Sequence, residues 1–154
     1  MSSGADTAPL RRRPPTLLLL RLAVVAAAVP VLTRAPLPRL QQWLEPPRPG
    51  PVRKQADARA PDRVIAEYGR WVDALIRRGG PVVRRGCLTR GVTLYYGLRR
   101  SGVDAALCFG VGTVGGVTEG HCWIVVDECP VLEAVDPYSV FTETVRLSRN
   151  GVTH

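Results

Sequence analysis

The chain has 154 residues, a formal net charge of +8 and four cysteines. This length fits one domain with an appended segment and excludes two full-sized domains. The charge is uneven, because residues 1–54 carry nine basic and two acidic side chains, whereas residues 55–154 carry twelve and eleven. Eleven of the fourteen prolines lie within residues 1–61. We therefore predict a basic, proline-rich arm over residues 1–55 and a domain over residues 56–154.

The composition of the arm argues against nucleic-acid binding. Segments that bind single-stranded nucleic acid combine basic side chains with aromatic side chains on which bases stack. Trp43 is the only aromatic residue before residue 56. We expect no nucleic-acid partner.

The cysteines are not arranged for a disulfide framework or a zinc site. The sequence has no Cys-x-x-Cys pair and enough apolar residues for a core, which favours reduced thiols and a cytoplasmic location. Adjacent ligands such as His121 and Cys122 are poorly placed around one tetrahedral ion. This argues against a zinc site formed by Cys108, His121, Cys122 and Cys129. We predict no metal and no cofactor.

An apolar run over residues 17–32, interrupted by Arg21, dominates the arm. It has three interpretations: a signal peptide, a transmembrane helix, or a helix that lies on a partner, on the domain or on a membrane surface. A charged side chain in the hydrocarbon costs about 2.5–3.5 kcal/mol at the centre of a spanning helix. We therefore favour the third interpretation, with Arg21 turned outward and residues 16–33 as the contact segment. A second short helix is predicted over residues 36–45, with Leu37, Leu40 and Leu44 on one face.

The domain reads as helices followed by an antiparallel sheet, an α+β fold. Apolar residues recur at helical spacing from Val64 to Ile76, between Ala60-Pro61 and Gly79-Gly80. A second helix begins at Cys87 and ends at Ser101-Gly102. A strand is predicted over residues 103–111, followed by a mobile loop over residues 112–120. A second strand over residues 121–126 and a third over residues 131–136 are joined by a turn at residues 127–130.

Cys87 is the first candidate for chemistry. A thiol attacks as the thiolate, and the N-terminus of a helix with nearby arginines lowers a cysteine pKa. Arg84 and Arg85 precede this cysteine. His121 is the only histidine besides the C-terminal His154, so it is the candidate base.

The acid that would orient His121 is either Glu133 or Asp136. A two-residue turn at Asp127-Glu128 would pair Val126 with Cys129 and place Asp136 on the face of His121, with Glu133 on the other face. A turn longer by one residue would reverse the choice. We favour Asp136 slightly, with Glu133 as the alternative. Trp123 is a candidate for the border of the substrate groove, with burial in the core as its alternative.

Several motifs together resemble the leader peptidases of lasso-peptide biosynthesis. These motifs are Arg85-Gly86-Cys87-Leu88-Thr89-Arg90, the segment from Leu98 to Ala105, Phe109-Gly110-Val111 and His121-Cys122-Trp123. The resemblance covers roughly residues 60–147. It implies a transglutaminase-like, papain-related core in which the nucleophilic cysteine begins a helix packed on a small antiparallel sheet, preceded by a helical arm.

The resemblance also implies an activity and partners. Such a peptidase removes the leader peptide from a ribosomally made precursor, acting with a separate leader-binding protein and an asparagine-synthetase-like cyclase. Cys87 would be the nucleophile, His121 the base, and Asp136 or Glu133 the acid. The family usually has alanine where this chain has Cys122, which adds a thiol beside the base. A non-catalytic scaffold of the same maturation complex is the alternative function.

Overall fold

The computed structural model describes residues 16–46 and 60–154. Within these ranges the chain forms four α-helices and a five-stranded antiparallel sheet, so the predicted α+β class is confirmed. The helices are α1 (Thr16–Leu32), α2 (Leu37–Leu44), α3 (Ala60–Arg78) and α4 (Cys87–Arg100). The strands are β1 (Ala105–Val114), β2 (Val117–Val126), β3 (Cys129–Val131), β4 (Phe141–Ser148) and β5 (Gly151–Thr153), with a 3-10 turn at Pro137–Ser139. The predicted boundary near residue 55 lies outside the described residues.

Helix α1 packs on α4. Its buried residues Leu22, Ala26 and Val29 recur at helical spacing, while Arg21 is exposed, as predicted. The helix was predicted to lie on a partner, on the domain or on a membrane surface, and in the structure it lies on the domain. No helix within the described ranges is long and apolar enough to cross a membrane.

Helix α2 is fastened to the end of α4. Leu40 and Leu44 are buried, as the predicted apolar face requires. Glu45 directly follows the helix and accepts hydrogen bonds from Arg99 at 3.0 Å and from the Tyr95 hydroxyl. The arm helices and α4 therefore share one hydrophobic core.

Helix α4 lies between the other helices and the sheet. A Cβ atom at Gly97 would lie 2.6 Å from a ring carbon of Tyr68 on α3 and 3.2 Å from Leu22 on α1. Only glycine permits this approach of three helices. On its opposite side α4 covers the sheet face that carries Leu107, Cys122 and other apolar side chains.

The sheet has the order β3-β2-β1-β4-β5, and all neighbouring strands are antiparallel. The predicted mobile loop over residues 112–120 is wrong, because β1 and β2 stay paired up to a two-residue turn at Gly115-Gly116. The glycines of β1 mark close approach of β4: a Cβ at Gly110 would lie 2.6 Å from Thr142 O. Strands β4 and β5 were not predicted.

The third predicted strand is wrong in extent. The two-residue turn at Asp127-Glu128 pairs Val126 with Cys129 as expected, but β3 ends at Val131. Leu132 then adopts φ +62°, a left-handed conformation that turns the chain out of the ladder. The continued pairing that would place Asp136 on the face of His121 therefore does not form.

Candidate active site

Cys87 is the first residue of α4, as predicted. Gly86 precedes it in an extended conformation, and the thiol is partly exposed. The unpaired amides at a helix N-terminus carry partial positive charge, which favours an anion at this position. Arg84 and Arg85 are exposed directly before the helix.

The buried residue Cys122 joins the helix to the sheet at this point. A Cβ atom at Gly91, one turn after Cys87 on α4, would lie 3.0 Å from Cys122 Sγ. Residues four apart share a helix face. Strand β2 therefore packs on the face of α4 that carries Cys87.

These surroundings lower the pKa of the Cys87 thiol from 9.0 to about 5. Hydrogen bonding by the Cys122 thiol is the largest cause, burial opposes it, and His121 and the Cys122 backbone also stabilise the thiolate. The same interaction and burial raise the pKa of Cys122, so that thiol remains a protonated donor. Cys87 is consequently a thiolate at neutral pH.

His121 is bound to an acid on its other side. Its Nε2 lies 3.2 Å from Glu133 Oε2, and the imidazole also forms a hydrogen bond with the Cys87 side chain. The imidazole also packs against Phe141, with ring centroids 5.1 Å apart. The structure thus brings together Cys87, His121 and Glu133.

Asp136 does not join this group. Its carboxylate accepts a hydrogen bond from the backbone N–H of Tyr138 at 3.0 Å and caps the 3-10 turn. The preference for Asp136 relied on a strand running to residue 136, whereas β3 ends five residues earlier. Of the two candidates, only Glu133 contacts the histidine.

Arg90 holds Glu133 in place, a role that the sequence analysis missed. Its guanidinium donates to Glu133 Oε1 at 3.3 Å, to Leu132 O at 3.0 Å and to Asp73 Oδ1 at 2.9 Å. Leu132 is also seated on α3, since a Cβ atom at Gly69 would lie 2.8 Å from its Cδ1. The spacing of Arg90 from Cys87 was visible in the sequence, but its partners lie 17 and 42–43 residues away.

Trp123 is a core residue. It is 1% exposed and packs with Ala106, Cys108 and Val125 on the sheet face away from the helices. Its ring lies 6.0 Å from the His121 ring, so it supports the imidazole from behind. Within the described ranges, no group of three or more potential ligands is arranged to hold a metal ion.

A model described as the transglutaminase-like superfamily matches residues 19–146, which is most of the chain. The chain belongs to the transglutaminase-like superfamily. That superfamily commonly contains cysteine proteases. The matched range of this transglutaminase-like protein begins within α1 and ends within β4. No curated protein and no solved structure matches it.

The three side chains of this transglutaminase-like site supply the parts of nucleophilic catalysis. The Cys87 thiolate is a nucleophile, and the adjacent imidazole of His121 accepts and returns protons. Glu133 fixes the ring orientation and stabilises the imidazolium. The arrangement is suited to acyl transfer.

Proposed function

We propose that this protein is a cysteine peptidase that removes the leader peptide from a ribosomally synthesised lasso-peptide precursor. The observation that carries the peptidase assignment is the low-pKa Cys87 thiolate beside the His121–Glu133 pair. A scaffold without catalysis would not need a thiol of this kind. The precursor as substrate is supported by the motifs around Cys87 and His121 that resemble lasso leader peptidases.

The reaction proceeds in two steps. Cys87 Sγ attacks the scissile carbonyl, and the oxyanion that forms is close to the backbone N–H of Cys87. His121, which has taken up the proton of the Cys87 thiol, donates it to the amine of the core peptide, the C–N bond breaks, and the leader remains as a thioester on Cys87. Water then gives a proton to His121 and attacks the thioester, which releases the leader carboxylate and restores the thiolate.

The partners we propose are the precursor leader peptide, a separate leader-binding protein and an asparagine-synthetase-like cyclase, in the cytoplasm. The cyclase would use the amine that cleavage exposes. The outward face of α1 supports docking of a partner or of a membrane surface through residues 16–33. Its exposed apolar side chains are Leu17, Leu20, Val24 and Val31.

Replacing the nucleophile tests the assignment. The Cys87→Ala variant should lose cleavage of the precursor by at least 10³-fold, because no other group supplies the covalent step. The measurement is mass spectrometry of the precursor incubated with the peptidase and the leader-binding protein. The matched control is Cys129→Ala, an exposed thiol of β3 that should cleave like the wild type.

Two results would count against the proposal. Cleavage by Cys87→Ala at the wild-type rate would remove the nucleophile from the mechanism. An intact precursor after incubation with wild-type protein and both partners would favour the scaffold.

A further inference from the structure

Strand β2 has an uncovered edge that runs up to the active site. Strand β3 pairs only with Ile124, Val125 and Val126, although β2 begins at Val117. Among residues 16–46 and 60–154, no other strand pairs with this side of β2. Thr118, Glu119 and Gly120 are exposed.

The hairpin geometry identifies the backbone groups on that edge. In a two-residue turn with both residues at positive φ, the flanking residues form a hydrogen-bonded pair, and pairing then alternates along the strands. Gly115 and Gly116 have φ +57° and +84°, so Val117 and every second residue after it bond to β1. The N–H and C=O groups of residues 118, 120 and 122 therefore face the other way.

The second hairpin gives the same assignment. Val126 flanks the turn at Asp127-Glu128, whose φ angles are +49° and +60°, so residues 126 and 124 bond to β3. The series continues through 122, 120 and 118. The backbone of Cys122 indeed contributes a hydrogen bond to the Cys87 thiolate. We call the outward groups of residues 118, 120 and 122 the β2 edge.

Gly120 lies in the middle of the β2 edge without a reason internal to the protein. Its φ is not positive, and an added Cβ atom would have only Gly110 O nearby, at 3.9 Å. Gly110 differs, since its missing side chain makes room for β4. A glycine within a strand weakens it, and it often marks a place where a ligand or another backbone approaches closely.

The open space beside Gly120 is on the side of the nucleophile. Side chains of β2 alternate, and Cys122, Ile124 and Val126 belong to the core under the helices. A side chain at residue 120 would therefore project from the same sheet face as Cys122, two residues farther from the Cys87 helix. Gly120 therefore shares a sheet face with Cys122, the residue that contacts the Cys87 thiolate.

We propose that the β2 edge binds the peptide substrate as an added strand. The extended substrate backbone exchanges hydrogen bonds with the N–H and C=O of Gly120, and the chain continues to place its scissile carbonyl at Cys87. Gly120 lets that backbone pass close to the sheet. The proposal rests on the proposed peptidase function and specifies its substrate as a chain segment without secondary structure of its own.

Recognition of this kind is largely independent of sequence. Backbone hydrogen bonds are the same for every residue except proline, which lacks the N–H group. The β2 edge would therefore align many peptides at the thiol, and selection of one precursor would depend on a separate leader-binding protein. A substrate residue that donates its N–H to Gly120 cannot be proline.

The test compares Gly120→Val with Glu119→Val, which introduces the same side chain on the opposite sheet face. The probes are N-acetylated tetrapeptide chloromethyl ketones of mixed sequence and, as a small reagent, iodoacetamide. The quantity compared is the rate of Cys87 alkylation by the peptide reagents divided by the rate with iodoacetamide. We expect Gly120→Val to lower this ratio at least tenfold, with the iodoacetamide rate within twofold of wild type. Glu119→Val should keep the wild-type ratio. An unchanged ratio in Gly120→Val would overturn the proposal.

Two further measurements protect the test from trivial failure. If Gly120→Val does not fold, Gly120→Ala takes its place, because it adds only one methyl group into open space. It should lower the same rate ratio by a smaller factor. With wild-type protein, tetrapeptide reagents methylated on their backbone nitrogens should lose at least tenfold in rate, and equal rates for both reagents would contradict strand addition. If the wild-type protein does not cleave the precursor, only the peptidase function is refuted. The alkylation ratios measure peptide binding independently of cleavage.

Discussion

The reactivity of the site depends on one residue, Cys122, that adds a thiol next to the nucleophile. Hydrogen bonding by this neighbour is the largest single cause that lowers the Cys87 pKa, and the imidazole lowers it further. The sequence identified Cys87, His121 and the extra thiol, because residue types and motif spacing are local information. It did not decide between Glu133 and Asp136, since that choice depended on where a strand ends.

Removing the second thiol should therefore make Cys87 less acidic. In the wild type, alkylation by iodoacetamide should rise with pH through a midpoint of about 5 and be level by neutral pH, because the thiolate forms above its pKa. In Cys122→Ala the midpoint should move upward toward the ordinary thiol range, so that the rate at pH 6 falls several-fold. The measurement is the pH dependence of Cys87 alkylation by mass spectrometry.

Cys108→Ala is the matched control for that experiment. Cys108 is also buried, but it lies on the opposite sheet face. Its replacement should leave the midpoint of Cys87 alkylation in place. A midpoint that stays near 5 in Cys122→Ala would show that the imidazole and the helix terminus suffice.

At the scale of elements, the short segment after β3 determines which acid meets the histidine. The left-handed Leu132 ends the strand, and leucine has no preference for that conformation, so the local sequence carries no signal for it. This conformation is held by tertiary contacts, namely the hydrogen bond from Arg90 to Leu132 O and the packing of the Leu132 side chain against Gly69 of α3. Likewise, the sequence predicted a loop from Gly112 onward because the strand that approaches this glycine, β4, is distant in sequence.

Arg90 should act as a positioning residue for catalysis. In Arg90→Ala, Glu133 Oε1 and Leu132 O each lose a hydrogen-bond donor. Glu133 is then less firmly placed, and the imidazole that it contacts is less well oriented. We expect kcat to fall about 10²-fold, the cost that misplacement of a catalytic group can reach, with little change in KM. Steady-state kinetics on the precursor would measure this split.

Arg90→Lys separates geometry from charge. Lysine keeps the positive charge but cannot reproduce the planar arrangement of donors, so it should recover only part of the lost kcat. Full recovery would reduce the role of Arg90 to its charge. A rise in KM with unchanged kcat would instead assign Arg90 to substrate binding.

At the scale of the whole molecule, the arm helices complete the core around α4. Composition separated a basic, proline-rich region from a nearly neutral one, and the α+β order of elements followed from periodicity. The sequence did not reveal that Leu22 contacts α4, the helix that begins with Cys87, because contacts between distant segments leave no local pattern. Glu45, just after α2, adds polar contacts with Arg99 and Tyr95 to this connection.

Loss of the Glu45 carboxylate should destabilise the protein. Tyr95 is fully buried and Arg99 has only 7% of its side chain exposed. Glu45→Ala removes the acceptor of the Tyr95 hydroxyl and leaves the guanidinium with Asp104 as its remaining carboxylate partner. We expect the free energy of unfolding to fall by about 2 kcal/mol, within the usual cost of an unsatisfied buried group. Urea denaturation followed by circular dichroism would measure it.

The control is Arg63→Ala, which removes an exposed ion pair with Glu67 within α3. Its effect should be about 0.5 kcal/mol or less, as for other exposed pairs four residues apart. Equal unfolding free energies for Glu45→Ala and wild type would mean that the Glu45 carboxylate does not help to hold the arm helices on the domain.

The packing of α1 on α4 also has a consequence for biosynthesis. The ribosome makes α1 and α2 first, yet the surface that buries Leu22, Val29 and Leu44 is complete only after α4 has emerged. Until then these leucines and valines are exposed on a nascent chain, where such surface promotes aggregation. Early translation intermediates of this protein should accordingly be ligands for chaperones at the exit tunnel.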